Sequence, residues 1–201
     1  MMMSIFIIFF YLTIRIGLNP LWETISPLYS YLFEVCFVVS CFLVYRKKKK
    51  HKIFNVELDK NFLLQLLPWP FVGFIVYRLA LKSTILIPFE FNSVQILLLL
   101  LIVAPVLEEF IFRYALWEAV SDLVKSDELK VWISSLLFSI GHLISMFMIS
   151  PDFRPFVLYQ SFYVIILGFG VSQMRIKTGS ITGSILIHFL FNLGFYLGSL
   201  V

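Results

Sequence analysis

Glu108 and Glu109 stand side by side just beyond an unbroken apolar run, residues 96–103, and Arg113 follows four positions after the second acid. An ionised carboxylate is costly in hydrocarbon, so acids within a spanning helix face a protein interior or a wet cavity. Two adjacent acids are hard to explain as packing alone, and residues 104–113 are therefore read as the heart of an active site. Helical phase divides the acids: residues four apart differ by about 40° in direction, whereas neighbours differ by about 100°. Glu109 and Arg113 share a face and can form an ion pair. Glu108 points about 140° away from Arg113 by the same geometry and is left without a local cation. A desolvated carboxylate left in that condition is a candidate general base.

Two other apolar segments carry imidazoles. One contains Phe138 and His142, four apart; the other contains His188 and Asn192, also four apart and so on one face. Depth links them to Glu108. With Trp117 and Trp132 as interface markers and Thr178 following a basic link, Glu108 lies nine residues in and each histidine ten. At 1.5 Å per residue this is roughly 13–15 Å, near the middle of a ~30 Å hydrocarbon core. Taken singly, His142 reads first as a hydrogen-bonded packing histidine and His188 with Asn192 as helix–helix glue; the combined set points to function.

The elements that must position these groups follow from composition. The chain has 201 residues, 60% of them apolar and 14% charged, against about a quarter charged in a soluble domain. The fold class expected is all-α: a polytopic transmembrane helix bundle of about seven spanning helices with no soluble domain. The spans are read at 4–18, 27–45, 68–81, 93–122, 130–149, 156–174 and 180–201, with 53–67 lying along the interface. The organisation is one integrated membrane domain: 1–92 supplies N-terminal helices and a basic loop, 93–201 the catalytic core. There is no internal repeat and no Gly/Ser-rich linker.

The net charge of +4 comes largely from the run Arg46 to Lys52. Beside a spanning helix this run is a charge anchor rather than a nucleic-acid patch, and short Lys/Arg-rich loops stay cytoplasmic. His51 belongs to that solvated run. Alternation then puts Lys125, Lys130, Arg175 and Lys177 inside, and Lys82, Arg154 and the region of Arg15 outside, with a cytoplasmic N-terminus and the C-terminus outside. Arg15, Glu34 and Arg78 are read as bundle or interface anchors. Glu23, Glu90 and Glu118 fall near segment ends, and Cys36 and Cys41 are small core residues.

Glu-Glu-x-x-x-Arg at 108–113, Phe-x-x-x-His at 138–142 and His-x-x-x-Asn at 188–192, in that order on successive helices, resemble the motifs of the CAAX protease and bacteriocin-processing family (CPBP, also called Abi), which includes the type II CAAX prenyl endopeptidases. The resemblance covers residues 93–201. It implies an integral-membrane peptidase, in a bacterial plasma membrane, in which a glutamate activates water. Carried over, Glu108 is the general base assisted by His142, His188 and Asn192 stabilise the oxyanion, and Glu109 with Arg113 holds the site. The substrate implied is a peptide or protein entering from the membrane or cytoplasmic side; bacteriocin processing and self-immunity are further associations of the family.

No cofactor is expected. A metal variant is the alternative, with Glu108, His142 and His188 as three ligands for Zn²⁺ and water as the fourth, although no His-Glu-x-x-His pair is present. Two other classes stand beside the peptidase. A non-catalytic immunity or scaffold protein would keep the fold without turnover. A small proton-coupled transporter would use the same groups as a relay, but the chain lacks an inverted repeat.

Overall fold

The computed structural model describes residues 2–18, 28–45, 53, 54, 56 and 59–201. The basic run 46–52 with His51, and Glu23, lie outside the described residues. The described chain is helical with no strand. Helices α1 (Met2–Gly17) and α2 (Leu28–Tyr45) are apolar but short. Four helical rods are long and apolar enough to cross a membrane: α3 (Lys60–Lys82), α4 (Val94–Leu123), Asp127–Phe147 and Pro151–Thr178. Within the last two, α5 spans Asp127–Leu143 and α6 spans Arg154–Thr178; α7 (Thr182–Ser199) closes the bundle.

Local sequence explains most boundaries. Asp59 caps α3 by accepting from the Phe62 amide at 2.7 Å, and Ser126 caps α5 through the Leu129 amide at 3.3 Å. Gly179 ends α6 in the left-handed conformation, φ +67°, which costs glycine nothing. The first turn of α7 is tied down by the 53–54 turn: Ser180 Oγ and the Ile181 amide donate to the Ile53 carbonyl at 2.8 and 3.0 Å.

The third span begins earlier than its apolar pattern suggests. Residues 60–66 are helical and run into Pro68, which sits at the first position of the next segment, where its missing N–H costs nothing. Residues 60–66, within the segment 53–67 read as interfacial, are thus joined to the third span as one helical rod, α3. Two further expectations are corrected. Cys36 is exposed rather than core, while Cys41 is buried. Trp117 is buried inside the bundle, so only Trp132, 45% exposed, presents its ring outward.

Helix α4 carries the acids and is the least regular. Two π-turns, Leu99–Val103 and Ile111–Ala115, flank the α-helical Ala104–Phe110. The first has a cause in the sequence. Pro105 has no N–H to donate, and the Ala104 amide bonds the Leu99 carbonyl five residues back. The Leu100 carbonyl therefore has neither its fourth nor its fifth neighbour as partner. An orphaned carbonyl in an apolar setting must be satisfied from elsewhere, and here Asn192 supplies the donor.

Helix α7 packs against α3 through glycines. A Cβ on Gly73 would overlap the Phe191 carbonyl, and one on Gly194 would overlap that of Pro70. Small residues permit this close backbone approach, the usual basis of helix association where lipid supplies no hydrophobic drive. Serines add hydrogen bonds across helices: Ser139 Oγ to the Ser161 carbonyl and Ser184 Oγ to the Val171 carbonyl, both 2.8 Å.

Candidate active site

Helices α4, α5 and α7 bring the three motifs together. Glu108 Oε2 lies 3.9 Å from His142 Nε2 and 3.7 Å from His188 Nε2. The three side chains line one cavity of about 520 Å³ with Asn192, Gln160 and Tyr163 among the other walls. The remaining wall is largely aliphatic and aromatic, from Ile96, Leu99, Leu100 and Phe89 among others. Glu108 is the accessible acid, with 26% of its side chain exposed; Glu109 is fully buried.

Helical phase explains the division. Glu109 Oε2 lies 3.4 Å from Arg113 Nε, both wholly buried. Arg113 also donates through Nη2 to the Gly168 carbonyl at 3.2 Å, and its guanidinium lies 4.5 Å over the Phe138 ring. Phe138 thus serves as a platform for Arg113, with its ring edge-on to both imidazoles, at 4.7 Å from His142 and 5.7 Å from His188. Glu109 has a second partner that helical spacing on α4 does not reveal: His188 Nδ1 lies 2.9 Å from Glu109 Oε1. A single carboxylate joins Arg113 to His188.

The hydrogen bonds fix the imidazole orientations. His142 Nδ1 lies 3.0 Å from the Phe138 carbonyl; a carbonyl only accepts, so the proton is on Nδ1 and a neutral ring turns its Nε2 lone pair toward Glu108. His188 likewise donates from Nδ1 to the Glu109 carboxylate and presents Nε2 to Glu108. Asn192 Nδ2 donates one hydrogen to the Leu100 carbonyl at 2.8 Å. An amide nitrogen carries two hydrogens, so a second is left at the cavity wall.

One buried assembly was not anticipated. Arg175, assigned by its neighbours to an inner loop, is in the last turn of α6 and 4% exposed. Its Nη2 pairs with Glu118 Oε1 at 3.5 Å, Nε donates to the Arg113 carbonyl at 3.1 Å, and Nη1 donates to the Gly179 carbonyl. Glu118 is correspondingly a buried ion-pair partner and not an incidental acid at a segment end. The Arg113 carbonyl belongs to the second π-turn, so Arg175 holds that turn in shape. The only sequence signal was a charged pair on two helices, without a spacing rule to join them.

The zinc alternative meets a mixed geometry. Both Nε2 atoms face Glu108, yet among the described residues no three His, Cys, Asp or Glu side chains are grouped to hold a metal ion.

A family model described as Type II CAAX prenyl endopeptidase Rce1-like matches residues 90–194. No curated protein and no solved structure matches the chain. The matched span contains all seven motif residues, Glu108 to Asn192, and leaves α1, α2 and α3 outside. Together with the four apolar rods it makes this an integral membrane protein of a protease family. More than half of the chain lies in the match, and the protein belongs to the Rce1-like family of type II CAAX prenyl endopeptidases.

Proposed function

We propose that the protein is an intramembrane endopeptidase in which Glu108 acts as general base and hydrolyses a peptide bond without a covalent intermediate. A water between Glu108 and His142 gives its proton to the Glu108 carboxylate, with the His142 Nε2 lone pair accepting the second hydrogen and so aiming the oxygen. The oxygen adds to the peptide carbonyl. The developing oxyanion takes hydrogen bonds from the free Asn192 N–H and from His188. Donation from His188 Nε2 requires a doubly protonated ring, and the Glu109 carboxylate on Nδ1 is its counter-charge. Collapse of the tetrahedral adduct breaks the C–N bond, and the proton held by Glu108 passes to the departing amine.

The single observation that carries this reading is the convergence of Glu108 with both Nε2 atoms on the wall of a 520 Å³ cavity. The cavity's apolar lining suits a peptide with apolar side chains entering from the membrane or the cytoplasmic side. The N-terminus is assigned to the cytoplasm. The test is a comparison of peptide termini in cells expressing wild-type or Glu108→Ala protein. New termini present only with the wild type support the reading; identical sets of termini overturn it.

A further inference from the structure

Glu108 and His142 face two chambers. Beside the large cavity is a second chamber of about 130 Å³ lined by Tyr11, Arg15, Glu34, Glu108, His142 and Ser145 among others. Glu108, His142 and Ser145 belong to both linings and form the partition. The two linings differ in chemistry. The large cavity has mostly aliphatic and aromatic walls. The small one holds an ion pair, Arg15 Nη1 to Glu34 Oε1 at 2.9 Å, whose guanidinium also donates to Ser30 Oγ at 3.0 Å. Arg15 and Glu34 come from α1 and α2, outside the region matched by the family.

We propose that this chamber is a water site that supplies the nucleophile while a peptide fills the larger cavity, with Arg15 and Glu34 as residues that position the water. The proposal rests on Glu108 being the general base. Volume and polarity both support it. A single water needs only roughly 10–15 Å³ of space and two to four polar partners; the chamber offers far more room and several such partners. At about 130 Å³ it is too small to hold a peptide. Two carboxylates facing one guanidinium make it a poor site for an anionic group. Charges within a membrane bundle also line wet cavities as a rule. A peptide seated against Glu108 would close the route for water from the large cavity, so a supply from the second chamber keeps Glu108 and His142 hydrated during turnover.

The test uses the purified full-length protein in detergent. Brief hydroxyl-radical labelling after mixing into H₂¹⁸O reads water beside a side chain. Tyr11 is 1% exposed and Phe138 0%, but only Tyr11 lines the chamber. The wild type should label at Tyr11 and not at Phe138. The double substitution Arg15→Met with Glu34→Leu removes both charges together, a change that buried pairs often tolerate, and deprives water in the chamber of two of its polar partners. Tyr11 labelling should then fall severalfold below the wild type. In the same protein kcat should fall about tenfold or more, because misplacing a reactant is costly, with KM within about twofold. No Tyr11 labelling in the wild type, an unchanged kcat in the double variant, or a kcat loss with labelling intact each overturns the proposal. The wild-type labelling needs no variant to fold. It also separates this idea from its premise: if Glu108→Gln left cleavage intact, the premise would fail while Tyr11 labelling stood.

Discussion

In the proposed reaction Asn192 has two jobs that can be separated by one substitution and one control. Its amide donates to the orphaned Leu100 carbonyl at 2.8 Å, which stabilises the π-turn, and its second N–H faces the cavity. Asn192→Ala removes both. Leaving a buried carbonyl unsatisfied costs about 1–3 kcal/mol of stability. Losing one oxyanion donor costs about 3–4 kcal/mol of transition-state binding, or about 10²–10³ in kcat. The control is Ser184→Ala on the same helix, which deletes a buried bond to the Val171 carbonyl at 2.8 Å away from the cavity lining. It should cost about 1 kcal/mol of stability and leave kcat unchanged. The assay pairs the thermal midpoint of the solubilised protein with kcat and KM on a peptide recovered from the terminus comparison. If Asn192→Ala retains kcat within about threefold, or if both variants lose activity in step with stability, the oxyanion role is wrong.

Other outcomes follow from the same structure. Gly194→Leu drives a side chain into the Pro70 backbone and should abolish folding and cleavage, whereas Gly17→Ala, with open space around it, should leave the thermal midpoint unchanged; a tolerated Gly194→Leu would disprove the close α3–α7 contact. Arg175→Met strips the buried Glu118 of its ion pair with Arg175 and should destabilise by about 3–5 kcal/mol, and adding Glu118→Leu should recover part of that loss in thermal unfolding. Equal midpoints for the single and double variants would show that the pair is not coupled. A chelator should leave cleavage unchanged; activity lost on chelation and restored by zinc alone would replace the water-and-glutamate route with a metal centre.

What could be read from the residues, and what could not, divides along a physical line. Spacing on one helix gives direction, so the pairing of Glu109 with Arg113 was accessible in advance; the grouping of Glu108, His142 and His188 was expected from a depth count, one of whose markers, Trp117, is buried in the bundle. Packing between helices obeys no such spacing. Glu109 therefore looked like a partner of Arg113 alone, and its bond to His188, 79 positions away, emerged only from the fold. Arg175 lies near Lys177 at a helix end, where a basic residue normally marks a solvated loop; its burial against Glu118 depends on how α4 and α6 pack. Pro105 was visible all along, but its consequence, a free Leu100 carbonyl waiting for Asn192, required the register of the hydrogen-bond ladder. Arg15 and Glu34 read as anchors because nothing in their own segments ties them to Glu108.

The central claim is that Glu108 removes the proton from the attacking water. Glu108→Gln keeps the size of the side chain and takes away only the base. Measured as kcat/KM of the purified, reconstituted protein on an identified peptide, it should lower cleavage by about 10²–10⁴, the range of general base catalysis, with the thermal midpoint unchanged. Cleavage within about tenfold of the wild type by a folded Glu108→Gln protein would contradict the account.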